Sequence, residues 1–152
     1  MKIYVNRVPE EGLSDRALYD PAPLDMARED IRLPEPFEVE TFVTKVDEEL
    51  VVKAAIRCPL HMICARCLEE FIWTVETDAL FSYTVQPSDV VDITDDVRQE
   101  IILAYPMIPI CRPTCQGLCP VCGRNRNGAP CGHRTEAGSE GDDEPSGGSI
   151  AI

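Results

Sequence analysis

The sequence predicts an α+β fold: mostly antiparallel β-sheet with one principal helix and a C-terminal cysteine-rich knuckle. Three observations carry that prediction. From Phe71 to Val85, apolar residues (Phe71, Trp73, Val75, Ala79, Phe81, Tyr83, Val85) hold most odd positions, and Thr74, Glu76, Asp78, Ser82 and Thr84 fill most even ones. That period of two is the mark of a half-buried strand. Val97, Ile101 and Ala104, with Ile102 and Tyr105 beside them, instead recur at helical spacing. Finally, the cysteines crowd into Cys111-x3-Cys115-x3-Cys119-x2-Cys122-x8-Cys131-x-His133, with a further pair upstream, Cys64-Ala65-Arg66-Cys67.

Taken in chain order, Ile3 to Val8 suggests a short strand. The Pro- and acid-rich stretch that follows to Pro36 reads as loop with one or two irregular strands. Phe37 to Val46 and Leu50 to Arg57 are rich in Val, Phe, Thr and Ile, and the polar Asp47-Glu48-Glu49 between them turns the chain, so they form a hairpin. The alternating segment after Cys67 is one long strand, or two with a bend near Thr77. Pro87-Ser88-Asp89 breaks the pattern. A helix starts near Thr94, where Asp95 and Asp96 complement the positive end of its dipole, and Pro106 stops it. Met107 to Ile110 then runs as an extended apolar chain into Cys111. The predicted organisation is an N-terminal strand and Pro/acid-rich segment packed on the domain (1–36), a β-rich core with one helix (37–110), a zinc-binding knuckle (111–133) and a disordered acidic tail (134–152).

A chain of 152 residues, 44% hydrophobic, can build one modest core and has no room for a second enzyme-sized domain. Its net charge of -13 and pI of about 4.4 oppose broad attachment to nucleic acid, whose phosphates are met by Lys and Arg, and favour a basic protein partner. No apolar h-region or run of roughly 20 apolar residues is present, so a cytoplasmic protein without membrane attachment is expected. A reducing compartment disfavours disulfides and leaves the eight cysteines free for metal.

Thiolate pairs two residues apart grip one tetrahedral ion through a tight turn, and Gly, Pro and Asn between these cysteines permit such turns. Eight cysteines and two histidines exceed the needs of one ion. One division sets Cys64 and Cys67 with Cys111 and Cys115, closing a long loop, and Cys119 and Cys122 with Cys131 and His133 as a local knuckle. Another places Cys111, Cys115, Cys119 and Cys122 on one ion and leaves Cys64 and Cys67 free or redox active. The first is preferred because it leaves no paired thiol unused, and it implies two zinc ions. The mixture of thiolate and imidazole favours zinc over an iron–sulfur cluster. Cys58 and His61 are weaker ligand candidates, and Cys58, at the end of an apolar run, reads as a buried thiol. A thioredoxin-like role for the Cys64 pair is disfavoured, because such pairs open a helix whereas Leu68-Glu69-Glu70 leads into a strand.

Several segments resemble the YceD family, whose members are called large ribosomal RNA subunit accumulation proteins. They are Cys64-Ala65-Arg66-Cys67-Leu68-Glu69, Asp92-Ile93-Thr94 leading to Glu100-Ile101-Ile102-Leu103-Ala104-Tyr105-Pro106, and Cys115-Gln116-Gly117-Leu118-Cys119-Pro120-Val121-Cys122-Gly123 with Asn125 and Asn127. The likeness runs roughly from Phe37 to His133. It implies a role in the synthesis, processing or stability of 23S rRNA and hence in building the large ribosomal subunit, and it implies no enzymatic reaction. Some members keep only pairs matching Cys64/Cys67 and Cys111/Cys115, which supports grouping those four. The family's usual ending is Cys-x-Cys; this chain has His133 in the last place, which can still bind zinc with one less negative charge.

No acidic residue lies between Cys111 and Arg134, whereas Arg112, Arg124, Arg126 and Arg134 do. The knuckle is thus a basic island on an acidic chain. Its arginines either hold loops and offset thiolate charge or meet phosphate, making Arg124, Arg126 and Arg112 candidate contacts. The expected activity is a noncatalytic assembly factor acting on a large-subunit precursor through rRNA, a basic ribosomal protein or both, with no small-molecule substrate. A zinc-bearing interaction or transcriptional adaptor module is the alternative. A metal-dependent RNA hydrolase ranks last because it needs an open coordination position.

Overall fold

A computed structural model describes residues 1–128 and 131–133. The backbone is set by one long hairpin. β5 (Glu49–Ile63) and β6 (Glu70–Thr84) pair antiparallel over their full 15 residues, from Glu49 opposite Thr84 to Ile63 opposite Glu70. β4 (Phe37–Val46) lies on the other edge of β5, and β2 (Leu13–Tyr19) pairs with β4. The two-residue β3 (Ile31–Arg32) takes up that edge of β5 beyond β4, opposite His61 and Met62. The result is a five-stranded antiparallel sheet. β1 (Lys2–Tyr4) and β7 (Val90–Asp92) form a separate two-stranded ribbon, and α1 spans Thr94–Leu103.

Alternation gives the sheet two unlike faces. Leu50, Val52, Ala54, Ile56, Cys58, Leu60 and Met62 of β5 are all buried on one face, while Lys53, Ala55 and Arg57 point the other way. Val39 and Val43 of β4, and Val75 and Phe81 of β6, join the buried face. Helix α1 adds Val97 and Ile101. The open face carries cross-strand ion pairs, Arg16 with Glu38 and Glu40 and Arg57 with Glu76, whose exposure makes each worth little.

The N-terminal segment is more regular than its composition suggests. All seven residues of β2 pair with β4, and Tyr19 stacks on Phe37 with ring centroids 5.3 Å apart. Ile3, Val5, Leu24, Met26 and Ile31 enter the same core as the sheet. The Arg98 guanidinium of α1 donates to the carbonyls of Leu24 and Asp25, at 2.5 and 3.2 Å, and the Tyr105 hydroxyl donates to the Met26 carbonyl at 2.9 Å. Polar side chains of one segment thus satisfy the backbone of another.

Other boundaries also move. The strand expected to end at Arg57 continues to Ile63 through Pro59. Proline has no N–H for a ladder, and Pro59 falls opposite the gap between the ends of β4 and β3, so the missing donor is tolerated there. β6 runs on without a break at Thr77, and β7 follows a segment read only as a breaker. The residues expected to form a strand at 3–8 divide into β1 and a 3-10 turn over Val5–Arg7. Helix α1 begins at Thr94 as expected, and the Asp92 carboxylate accepts from the Thr94 N–H at 3.1 Å. Ala104 and Trp73, both expected on apolar faces, are exposed: Ala104 lies past the helix end, and Trp73 lies opposite Leu60 near the Cys64–Cys67 end of the β5–β6 hairpin. The acidic tail and Arg134 lie outside the described residues. Among those described, no helix is long and apolar enough to cross a membrane.

Phe37 is 1% exposed and both packs in the core and stacks on Tyr19. Replacing it with Ala should cost about 3 to 5 kcal/mol of stability, read as a lowered urea midpoint of the metal-loaded protein. By contrast Leu18→Ala, 74% exposed on the open face, should leave that midpoint nearly unchanged.

Candidate metal centres

The two knuckle turns are built alike. Cys64-Ala65-Arg66-Cys67 joins β5 to β6, and the Leu68 N–H donates to the Cys64 carbonyl at 2.9 Å. In Cys119-Pro120-Val121-Cys122 the Gly123 N–H donates to the Cys119 carbonyl at 2.8 Å. Each turn directs its two thiols to one side.

The thiols of Cys64, Cys67, Cys111 and Cys115 converge, all four sulfurs lying within 4.8 Å of one another. Cys64 Sγ is 3.9 Å from Cys115 Sγ, and Cys67 Sγ is 3.8 Å from Cys111 Sγ. These separations exclude disulfides, whose sulfurs bond at roughly 2.0 Å. They match the edge of a tetrahedron with bonds of about 2.3 Å, which is roughly 3.8 Å. A second group, Cys119, Cys122, Cys131 and His133, meets the same limit, with Cys119 Sγ 3.9 Å from His133 Nδ1. Each group offers four ligand atoms of the soft and borderline kind that hold a tetrahedral ion. The donor sets fit one metal ion apiece.

The alternative grouping of Cys111, Cys115, Cys119 and Cys122 does not form, because Cys111 and Cys115 turn toward the β5–β6 knuckle. Cys58 and His61 join neither group. Cys58 is fully buried in the sheet core, and desolvation pushes its thiol up to about 12. His61 Nε2 is buried without a hydrogen-bond partner among the described residues.

The backbone between the two groups is held against the first knuckle. The Leu118 N–H donates to the Arg66 carbonyl at 3.0 Å, and the Arg66 guanidinium donates to the Cys115 carbonyl at 3.2 Å. Gly117 lies between these contacts with φ of +69°, and a Cβ there would come 3.0 Å from the Arg66 carbonyl oxygen. Only glycine combines that backbone with that approach. Leu118 then forms an antiparallel bridge with Asn125, and the Cys119 N–H donates to the Arg124 carbonyl at 2.8 Å.

Asn127 links the groups. Its Nδ2 donates to Cys115 Sγ at 3.3 Å and to Asn125 Oδ1 at 2.9 Å, and its Oδ1 accepts from the Gln116 N–H at 2.9 Å. A residue folded into the second knuckle thus donates to a sulfur of the first group. The sequence motif contained Asn125 and Asn127 but nothing in it disclosed this contact, which needs the chain to fold back across Cys115.

Four thiols at such short range share their protons unequally. Burial of Cys64 favours the neutral thiol, but backbone N–H groups of Cys111, Cys67 and Arg66 outweigh it and hold the group down to about 6. The Asn127 amide lowers Cys115, and the N–H groups of Cys122 and Val121 lower Cys119 to about 6. Desolvation pushes Cys111 up to about 12 and also raises Cys67. A bound cation would make every ligand thiol a thiolate, displacing the protons still held.

Arg112 and Arg124 are exposed, and Arg126 is half-buried with its N–H donating to the Gly117 carbonyl at 2.9 Å. The first group and the sheet form separate apolar clusters. Cys64, Cys67 and Cys115 pack with Ile110 and Phe71, and only Phe71 also touches the main core.

Because the knuckles hang on the metal groups and the sheet does not, chelation should increase hydrogen exchange in 107–128 far more than in β4 and the centre of β5. Asn127→Ala should weaken metal at the Cys115 group by about 10 to 100-fold, measured by competition with a chromophoric chelator, while Cys122→Ser should remove one metal equivalent and spare the other. Apparent metal affinity should rise with pH and do so more steeply below about 6, where Cys64 and Cys119 also carry protons that metal must displace. A pH-independent affinity would contradict that assignment of protons.

Comparison with known proteins agrees with the sequence motifs over part of the chain. An uncharacterized protein of Mycobacterium tuberculosis is 36% identical over 115 residues, covering 65% of this chain and 55% of the relative. An uncharacterized protein of Mycobacterium leprae is 31% identical over 104 residues, covering 58% of this chain and 48% of the relative. The chain therefore spans about half the length of the curated relatives it matches. No solved structure matches it. The family match begins at Phe81, so the Cys64/Cys67 knuckle lies upstream of it, whereas α1 and the remaining cysteines of the two groups lie within. Over residues 81–145 the chain matches the family described as Large ribosomal RNA subunit accumulation protein YceD.

Proposed function

We propose that this chain is a noncatalytic zinc-binding factor in ribosome biogenesis, supporting 23S rRNA synthesis, processing or stability and large-subunit assembly. The observation that carries the reading is a metal-ligand set lying wholly inside the segment matched to a family named for accumulation of large-subunit rRNA.

Zinc is the metal this donor chemistry favours, since sets of four cysteines, or of three cysteines and a histidine, are those of closed structural sites. Bound there, zinc would supply a rigid crosslink; four protein ligands leave no position for an activated water. Cys64 and Cys67 would hold the ion together with Cys111 and Cys115, tying the β5–β6 turn to the chain after α1. Cys119, Cys122, Cys131 and His133 would hold the other. Structural zinc in peptides contributes about 10 to 16 kcal/mol of apparent binding free energy, ample to order a segment as poor in apolar residues as 116–133.

On that frame, Arg112, Arg124 and Arg126 belong to a stretch without carboxylates. Guanidinium groups on rigid turns suit phosphate, whose contacts fix register rather than read sequence. The acidic remainder suits a basic ribosomal protein. The partner in this reading is a large-subunit precursor in the cytoplasm, met through rRNA, such a protein or both. The charge of -13 also favours a second reading, a zinc-bearing protein-interaction or transcriptional adaptor module.

Arg124→Ala/Arg126→Ala should weaken association with precursor 23S rRNA and flatten its salt dependence by about one unit of slope for each phosphate no longer neutralised. Binding of a labelled precursor fragment across a salt series measures this. In cells, the protein should comigrate with large-subunit precursors on gradients. A metal-loaded chain absent from ribosomal fractions would favour the adaptor reading, and RNA cleavage by purified protein would overturn both.

A further inference from the structure

The residue that follows the second cysteine of each knuckle differs, leucine in the first and glycine in the second. The residue closing each turn has a left-handed backbone, φ 68° at Gly123 and φ 61° at Leu68. Glycine takes that conformation freely, whereas in leucine the Cβ crowds the backbone. A strained leucine would ordinarily be offset by burial, yet Leu68 is 63% exposed.

Its neighbours across the knuckle are apolar and uncovered too. Met107 is fully exposed and Ile108 is 67% exposed, in the segment between α1 and Cys111. With Ile63, Ala65 and Pro109 they line a hollow of about 450 Å³. The Ala65 N–H donates to the Pro109 carbonyl at 2.8 Å, which fastens one wall to the other. Strain at Leu68 and exposure at Met107 are independent observations of one surface.

We infer that this hollow docks a protein segment carrying one or two apolar side chains flanked by Lys or Arg. Charge selects that occupant. Glu29 and Asp30 line the hollow and no basic residue does; Asp30 pairs with Arg28 at 3.4 Å, leaving Glu29 as the open carboxylate. Carboxylates repel RNA phosphates and anionic lipid alike, and a second copy of a chain with charge -13 is a poor partner. No described residue of 111–133 lines the hollow, so this surface is separate from the described part of the arginine-bearing knuckle. It goes beyond the ribosomal reading and does not depend on it.

The test uses the full zinc-loaded chain and a fluorescent twelve-residue Lys/Leu peptide. Saturable binding is expected, and Leu68→Gly should weaken it at least about tenfold, the loss typical of an apolar anchor. The same variant should melt no lower than the parent, since glycine relieves the strained turn. Met107→Ser/Ile108→Ser leaves that turn untouched and should weaken binding similarly, and Glu29→Gln should reduce the salt dependence. The inference is overturned if these variants bind as the parent does or if a Glu/Leu peptide binds equally well. It is also overturned if an rRNA oligonucleotide displaces the peptide from Leu68, or if the parent forms a dimer that Leu68→Gly abolishes.

Discussion

Four sulfurs within 4.8 Å of one another cannot all be thiolates on their own. At about 3.8 Å, two unit charges repel by about 4 kcal/mol at the effective dielectric of a protein surface. Either protons stay, as the raised Cys67 and Cys111 and the lowered Cys64 and Cys115 indicate, or a cation takes their place. The described chain from Ile110 to Gly128 depends on how that repulsion is resolved. The segment has little apolar surface, and its backbone is oriented by hydrogen bonds to Arg66, itself part of the first knuckle.

The sheet answers to a different force. Its core is continuous from Ile3 through Tyr105 and rests on alternation along β4, β5 and β6. The sulfur group sits at the end of the long hairpin, next to Phe71, and joins that core at one side chain. The molecule thus has an apolar body built on the sheet and a cysteine-rich end whose two side-chain groups could each hold a metal ion. A clasp across the 44 residues from Cys67 to Cys111 couples the two. Closing so long a loop costs little more than closing a short one, so placing the ligands far apart in sequence is inexpensive once the hairpin and α1 have brought them near.

Legibility in the sequence followed the locality of each signal. β4 and the start of α1 were plain because hydrophobic period and turn chemistry lie within a few residues. β2 was legible only as one of the one or two irregular strands expected before Pro36, without bounds, and β7 was hidden, since strands in acidic or Pro-rich surroundings gain their stability from partners Phe37–Val46 and Lys2–Tyr4, not from themselves. Pro59 disguised the far third of β5 because a proline's tolerance depends on what lies opposite its missing N–H. Trp73 and Ala104 had the right spacing for burial, but both stay exposed where the sheet and the helix end.

By itself the sequence determined which residues could serve as ligands, in kind: thiol pairs two apart, a histidine in the closing place, and turns able to bring each pair together. Those are local constraints, settled by spacing and backbone freedom. Only the tertiary structure decided that Cys64 and Cys67 meet Cys111 and Cys115, that Asn127 reaches back to Cys115, and that Leu68 closes its turn in a glycine's conformation with its side chain in solvent. The first two are contacts between separated segments, and the exposure of Leu68 is what the rest of the fold leaves uncovered. All depend on where the β5–β6 hairpin ends in space, which no window of sequence contains.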